Sequence, residues 1–331
     1  MPLAATNNGR WRKTMTRAYV FPGQGSQAVG MGREMAAAFP SARAVFEEVN
    51  EALRQKLSTL MFEGPEAELT LTANAQPAIM ATSLAIVRVL EKEAGLDLKR
   101  DAAFVGGHSL GEYSALAAAG AFSIADAARL LRRRGQAMQQ AVPAGEGAMA
   151  ALMGLDYETG VAVAAEAQKE TGGDAVCAIA NDNGGGQVVA SGSKAAVEKA
   201  MEIAKTKGAR RSILLPVSAP FHCALMQPAA AIMADALAAV DIAAPKVPLV
   251  ANVTAAPVTD PAEIRKLLVA QVTGTVRWRE SMQYMAGQGV TLFIELGAGK
   301  VLTGLLKRIV DTATGIGVAV PGEVDAYKAL G

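Results

Sequence analysis

The sequence predicts an α/β protein in which a larger strand-and-helix unit is interrupted by a small βαββαβ unit. Three observations lead there. Of 331 residues, 51% are apolar but only 5% aromatic, so the core material is mostly Ala, Val, Leu and Met, which suits helices packed on a sheet. Short apolar runs alternate with segments of helical periodicity. From residue 147 the order switches to strand, helix, strand, strand, helix, strand, and then switches back.

The elements follow in order. AYVFP (18–22) reads as a short buried strand ended by proline. Residues 26–40 and 41–57 read as helices, and a long apolar helix runs from Pro77 to Ala94 with the proline in its first turn. AAFVG (102–106) is a strand, a helix follows Ser109 to about Gly120, and another spans 123–141 with Ser123 as N-cap. The small unit comprises strand 147–155, helix 156–171, strands 174–181 and 186–192, helix 193–208 and strand 210–218. That order is the ferredoxin-like arrangement. The larger unit resumes with helix 224–240, strand 247–251, helices 261–272 and 277–288, strand 290–296 and a helix from about 300.

Residues 1–17 carry Arg10, Arg12, Lys13 and Arg17 without an acid or an apolar stretch, and read as a disordered leader. Net charge is +1, which argues against a nucleic-acid binder. No run reaches the ~18 apolar residues of a membrane helix. Two cysteines, Cys177 and Cys223, and no secretory signal point to reduced thiols in a cytoplasmic protein.

Gly107-His108-Ser109-Leu110-Gly111 matches G-x-S-x-G between a strand and a helix. At such a turn small neighbours avoid clashes, the serine is exposed, and the helix N-terminus aims unpaired N–H groups at whatever binds there. Leu110 N–H is the natural oxyanion donor. A serine nucleophile needs a base, and the chain has two histidines. His108 adjoins Ser109, where neighbouring side chains diverge, so it reads as a positioning group. His222, in VSAPFHCALM, sits in a loop between a strand and a helix and is the candidate base. No acid falls convincingly between them: Asp174 and Asp182 lie in the small unit, and Asp235 and Asp241 follow His222. The pattern supports a Ser–His dyad and leaves room for a backbone carbonyl, instead of a carboxylate, to orient the imidazole.

Helix 123–141 has an apolar stripe at Ile124, Ala127, Leu131 and Met138, and Arg134 interrupts it at a core-facing position. A buried guanidinium needs an anion. That anion is either a carboxylate of the protein or one on a substrate, gripped bidentately; periodicity does not choose. FPGQGSQA (21–28) contains G-x-G-x-x-A after a strand, but the acid expected about 20 residues on falls within a helix. It reads instead as a loop that brings Gln24 and backbone N–H groups to the active site.

FPGQGSQ (21–27), GHSLGEYSAL (107–116), RGQAMQQAVPAGEGAMAA (134–151), VSAPFHCALM (217–226) and ELGAGKVLTGL (295–305) resemble the malonyl-CoA:acyl-carrier-protein transacylase family, which includes acyltransferase domains of polyketide synthases. The resemblance runs from about residue 18 to about residue 310. It implies an α/β-hydrolase-like large subdomain (18–146 and 216–331) with an inserted ferredoxin-like small subdomain (147–215). It implies malonyl transfer from malonyl-CoA to acyl carrier protein by a monomer without a permanently bound cofactor or metal. By position, Ser109 resembles the nucleophile, His222 the base, and Arg134 the arginine that binds the malonyl carboxylate. Gln24 and Leu110 resemble the oxyanion region, and Gln271 the residue whose main-chain carbonyl orients the histidine. Phe221 matches a position where, in related polyketide domains, Phe goes with malonyl and Ser with methylmalonyl. The carrier protein is acidic in this family, which makes Arg210 and Arg211 candidate docking charges, with a solvated basic pair as the alternative. The competing functions are an acyltransferase serving a polyketide synthase, a serine esterase or thioesterase, and a non-catalytic carrier-binding scaffold.

Overall fold

A computed structural model describes residues 16–330. Among the described residues ten strands form two sheets. The first contains β1 (Thr16–Phe21), β2 (Phe104–Gly107), β7 (Leu249–Val250), β8 (Pro257–Val258), β9 (Val290–Leu296) and β10 (Thr314–Val318), in the order β10-β9-β1-β2-β7-β8. All its pairs are parallel except β7 with β8. The second contains β3 (Gly147–Met153), β4 (Cys177–Asp182), β5 (Gln187–Ser193) and β6 (Arg211–Leu214), in the order β4-β5-β3-β6, and is antiparallel throughout. The chain is therefore a mixed α/β protein with a parallel-rich sheet and a separate antiparallel sheet.

The central strands of the parallel-rich sheet read as continuous apolar runs because both faces are covered. Tyr19 and Phe21 face one core with helices Pro40–Leu53, Thr72–Glu93 and Ile124–Gln140, while Ala18 and Val20 face another with helix Trp278–Gly287. β3 alternates in the same way. Ala148, Ala150 and Leu152 pack on helices Tyr157–Thr171 and Lys194–Thr206, and Met149 and Ala151 join the main core. A short splice ties β4 of the second sheet to the segment that enters helix Trp278–Gly287 of the larger unit. Val276 N–H donates to Ala180, Asp182 N–H donates to Val276, and Arg279 pairs with Asp182 at 2.8 Å. Among the described residues no helix is long and apolar enough to cross a membrane.

Several expectations change. Thr16 and Arg17 belong to β1, not to a leader; the rest of that expectation, residues 1–15, lies outside the described residues. The expected helix 26–40 shrinks to Arg33–Ala38, because Gly30 and Gly32 take positive φ and make residues 26–32 a turn segment. The long helix starts at Thr72, so Pro77 lies inside it rather than in its first turn. Its early turns are held by packing: Gly135 fits so closely against them that a Cβ there would lie 2.6 Å from Thr72 O. β8, β10 and helix Pro321–Lys328 had no clear signal; β8 has two residues, and β10 (TGIGV) carries two glycines that weaken a strand pattern.

Candidate active site

The site lies at the carboxyl ends of β1 and β2, the usual crevice of a parallel sheet. Phe21 pairs with Gly107, and the chain then turns through Ser109 into helix Gly111–Ala118. Steric contact explains the two glycines. A Cβ on Gly107 would fall 1.9 Å from Gly111 C, and one on Gly111 would fall 2.2 Å from Phe21 O. The tightness puts Ser109 itself at φ 53.

Ser109 Oγ lies 2.8 Å from His222 Nε2, and His222 Nδ1 lies 2.8 Å from the Gln271 carbonyl oxygen. A carbonyl only accepts, so Nδ1 carries the hydrogen and Nε2 is free to take the serine proton. His222 also has positive φ, 58. Burial, and then the charge of Arg134, hold its pKa down at about 3, so the imidazole is neutral at neutral pH.

Arg134 is 1% exposed. Nη1 donates to Gln76 Oε1 at 2.9 Å; Nη2 donates to Gln271 Oε1 at 2.9 Å and to Ser109 Oγ at 3.1 Å. Nε is buried with no partner among the described residues. No ion pair holds Arg134 among the described residues, and its hydrogen-bond acceptors are neutral. The Glu112 carboxyl is linked to it only through Gln271, whose Nε2 donates to Glu112 Oε2 at 2.7 Å. The guanidinium is thus buried beside the serine with its charge unmatched by any direct carboxylate contact.

The remaining expected residues fall as follows. Gln24 Nε2 donates to Thr72 Oγ1 at 3.2 Å, at the lip of a cavity of ≈ 270 Å³ lined also by Ser109, His222, Phe221, Met149 and Leu215. Leu110 N–H leads into the helix after the serine. His108 turns away from Ser109 Oγ: its Nε2 meets Asn183 Oδ1 at 2.9 Å and its ring packs on Trp278. Arg210 and Arg211 are not at this cavity. They line a separate hollow with Glu198 and Glu202, acidic neighbours that temper their attraction for an acidic partner.

A family model described as the acyl transferase domain matches residues 18–322. The chain belongs to the acyl transferase family. This acyl transferase is 48% identical over 313 residues to the malonyl CoA-acyl carrier protein transacylase of Escherichia coli K12, covering 95% of this chain and 99% of that one. The counterpart in Bacillus subtilis strain 168 is 47% identical over 308 residues, with 93% and 95% coverage. Among solved structures, an acyl-carrier-protein-S-malonyltransferase from Bartonella henselae superposes with TM-score 0.92 at 55% identity, over 96% of this chain and 99% of that one. A malonyl-transacylase solved in complex with a type II polyketide synthase acyl-carrier protein has TM-score 0.91 at 40% identity, over 96% of this chain and 100% of that one.

Three polar residues of the acyl transferase site escaped sequence reasoning. Asn252 clamps the nucleophile turn: Oδ1 accepts from Ser109 N–H at 2.8 Å and Nδ2 donates to Gly107 O at 2.7 Å. Gln76 holds Arg134. Glu112 accepts from Gln271 Nε2 at 2.7 Å and from Asn252 N–H at 3.2 Å. Gln76 and Glu112 each interrupt otherwise apolar helical stretches, which is the one signal that could have found them.

Proposed function

We propose that this acyl transferase moves a malonyl group from malonyl-CoA to the phosphopantetheine thiol of acyl carrier protein, through a malonyl-serine on Ser109, to supply fatty-acid synthesis. The observation that carries the reading is Arg134, buried beside the nucleophile with neutral hydrogen-bond partners and a free Nε. An acyl group that brings its own carboxylate would match that charge. The malonyl specificity in the names of relatives and the carrier-protein complex of one of them agree with it.

In the first half-reaction His222 Nε2 takes the Ser109 proton as Oγ attacks the thioester carbon. The oxyanion forms at the helix N-terminus, where Leu110 N–H donates, with a second donor from the Gln24 loop. The C–S bond breaks, and the proton passes from His222 to the departing CoA sulfur. In the second, the carrier thiol gives its proton to His222 and attacks the malonyl ester, and Ser109 recovers the proton. The Gln271 carbonyl keeps the imidazole in one tautomer throughout. Acyl transfer of this kind calls on no redox group or metal, and the enzyme works as a cytoplasmic monomer.

The βαββαβ order with its β4-β5-β3-β6 sheet supports a ferredoxin-like small subdomain at 147–215, inserted in an α/β-hydrolase-like subdomain at 18–146 and 216–331. Met149 and Leu215 come from the insertion and its exit and wall the cavity over Ser109.

Incubation with malonyl-CoA followed by intact mass tests the reading. A malonyl adduct on Ser109 that persists alone and is discharged by carrier protein is expected. Rapid release of CoA and malonate without carrier would make the protein a thioesterase instead.

A further inference from the structure

Glu112 is a buried carboxylate that the transfer mechanism does not use. It is 1% exposed. Oε2 is occupied by Gln271 Nε2 and Asn252 N–H, while Oε1 has no partner among the described residues. Arg134 shows the complementary feature: its Nε–H is buried and unpartnered. A single amide side chain, Gln271, separates the two charges, with 2.7 Å on the Glu112 side and 2.9 Å on the Arg134 side.

We infer that Glu112 is the resident counter-charge of Arg134 and takes up a proton when a malonyl carboxylate docks on that arginine, an inference that rests on the transfer reading above. Before malonyl docks, one guanidinium faces the Glu112 carboxyl across Gln271. A malonyl carboxylate docked on Arg134 adds a second negative charge close to a single positive one. Two carboxylates confined at one site do not both stay ionised, because each raises the affinity of the other for a proton. The substrate carboxylate reaches Arg134 directly and keeps its charge. Glu112, which reaches it only through Gln271, is the one that becomes neutral: the proton goes to the unpartnered Oε1, and Oε2 still accepts from Gln271 Nε2 and Asn252 N–H.

The charged and titratable groups that face Glu112 are few. Arg134 approaches from helix Ile124–Gln140 and lowers its proton affinity. Tyr113 lies on its own helix and stays a neutral phenol, its pKa raised by burial. His222 lies beyond Ser109 and, held at about 3, is neutral near pH 7. Burial dominates and lifts the Glu112 carboxyl to about 7, so a further negative charge nearby raises its protonation around neutral pH.

The test measures protons and adduct together. Wild-type enzyme is mixed with malonyl-CoA in weakly buffered solution near pH 7 with a pH indicator, and malonyl-serine is counted by intact mass. The chemical step itself is proton-neutral there, since the serine proton ends on a thiol of pKa ~8.5. The expected result is net uptake of a fraction of a proton per adduct, from a carboxyl raised to about 7. Acetyl-CoA, which carries the same phosphates but no acyl carboxylate, gives none per acetyl-serine. In E112Q the adduct forms without uptake. The linked readout is KM for malonyl-CoA, which rises several-fold between about pH 7 and about pH 8 in the wild type, at most tenfold per unit for one proton, and stays flat in E112Q. Adduct formation without uptake in the wild type, or equal uptake with both acyl groups, overturns the inference and leaves malonyl transfer standing. Because that comparison uses wild-type protein alone, it decides the matter even if E112Q does not fold. If no adduct forms at all, the transfer reading fails and the inference falls with it.

Discussion

Replacing Arg134 by alanine separates charge recognition from architecture. Among the described residues the side chain donates hydrogen bonds to Gln76, Gln271 and Ser109. With malonyl bound, two of its N–H groups would face a carboxylate. Hydrogen bonds to charged groups contribute about 1.5–3 kcal/mol each, so a bidentate grip contributes about 3–6 kcal/mol. At ~1.4 kcal/mol per decade, kcat/KM for malonyl-CoA should fall by roughly 10²–10⁴ in Arg134→Ala. Acetyl-CoA, with no charge to lose, should lose far less. The arginine also lowers the proton affinity of His222, so its removal should move the acid limb of acetyl transfer to higher pH. The assay follows acyl-serine formation by quench and intact mass with each thioester, with a thermal melt to verify folding. Equal losses for malonyl and acetyl, or an unmoved acid limb, would make Arg134 a structural residue and refute the reasoning.

Phe221 is 8% exposed, lines the serine cavity and precedes the base; Phe221→Ser should shift the malonyl-to-methylmalonyl rate ratio toward the branched substrate by about tenfold, the effect of ~1–3 kcal/mol per methylene-sized change, and competition between the two thioesters measures it. Gly135→Ala would put a Cβ 2.6 Å from Thr72 O and 2.7 Å from Ala73 Cα; prising apart the helices that carry Arg134 and Gln76 should cost about 1–3 kcal/mol, seen as a fall in melting temperature accompanied by weaker malonyl selectivity. With His222 held at about 3, acetyl-serine formation should stay nearly flat from about pH 7 to about pH 5, where a base of pKa ~6.5 would lose more than tenfold. The sign for stability is opposite: the unfolded state binds the His222 proton first, so this group makes the fold less stable as pH drops below about 6.5, which acid titration of the melting temperature in the wild type and in His222→Ala would reveal.

How far the site could be read from the chain depended on the kind of force involved. Gly107 and Gly111 announce themselves because backbone contact tolerates nothing larger. His222 stood out because the chain has one other histidine, and that one adjoins the serine. Arg134 was visible as a charge breaking an apolar stripe, but its neutral surroundings were not, since Gln76 and Gln271 arrive from helices 58 and 137 residues away. Asn252 reaches Ser109 across 143 residues from a loop with no periodic signal. The same division holds for the fold. The small antiparallel unit shows through its change of period, whereas the start of helix Thr72–Glu93 is masked by Pro77, a good first-turn residue in isolation. Packing against Gly135 carries the helix five residues further back.

Ser109 and His222 both hold left-handed backbone, φ 53 and φ 58, although neither is glycine. For an L-residue that conformation costs about 1–2 kcal/mol. The two side chains to which the proposed mechanism assigns the chemistry therefore sit where the chain would be more stable without them, and glycine at either position would relax the backbone while removing the proposed nucleophile or base. Selection for heat resistance alone would thus drift toward a better-folded, inert protein, so variants of this enzyme recovered on stability need turnover as a second criterion at these two positions first.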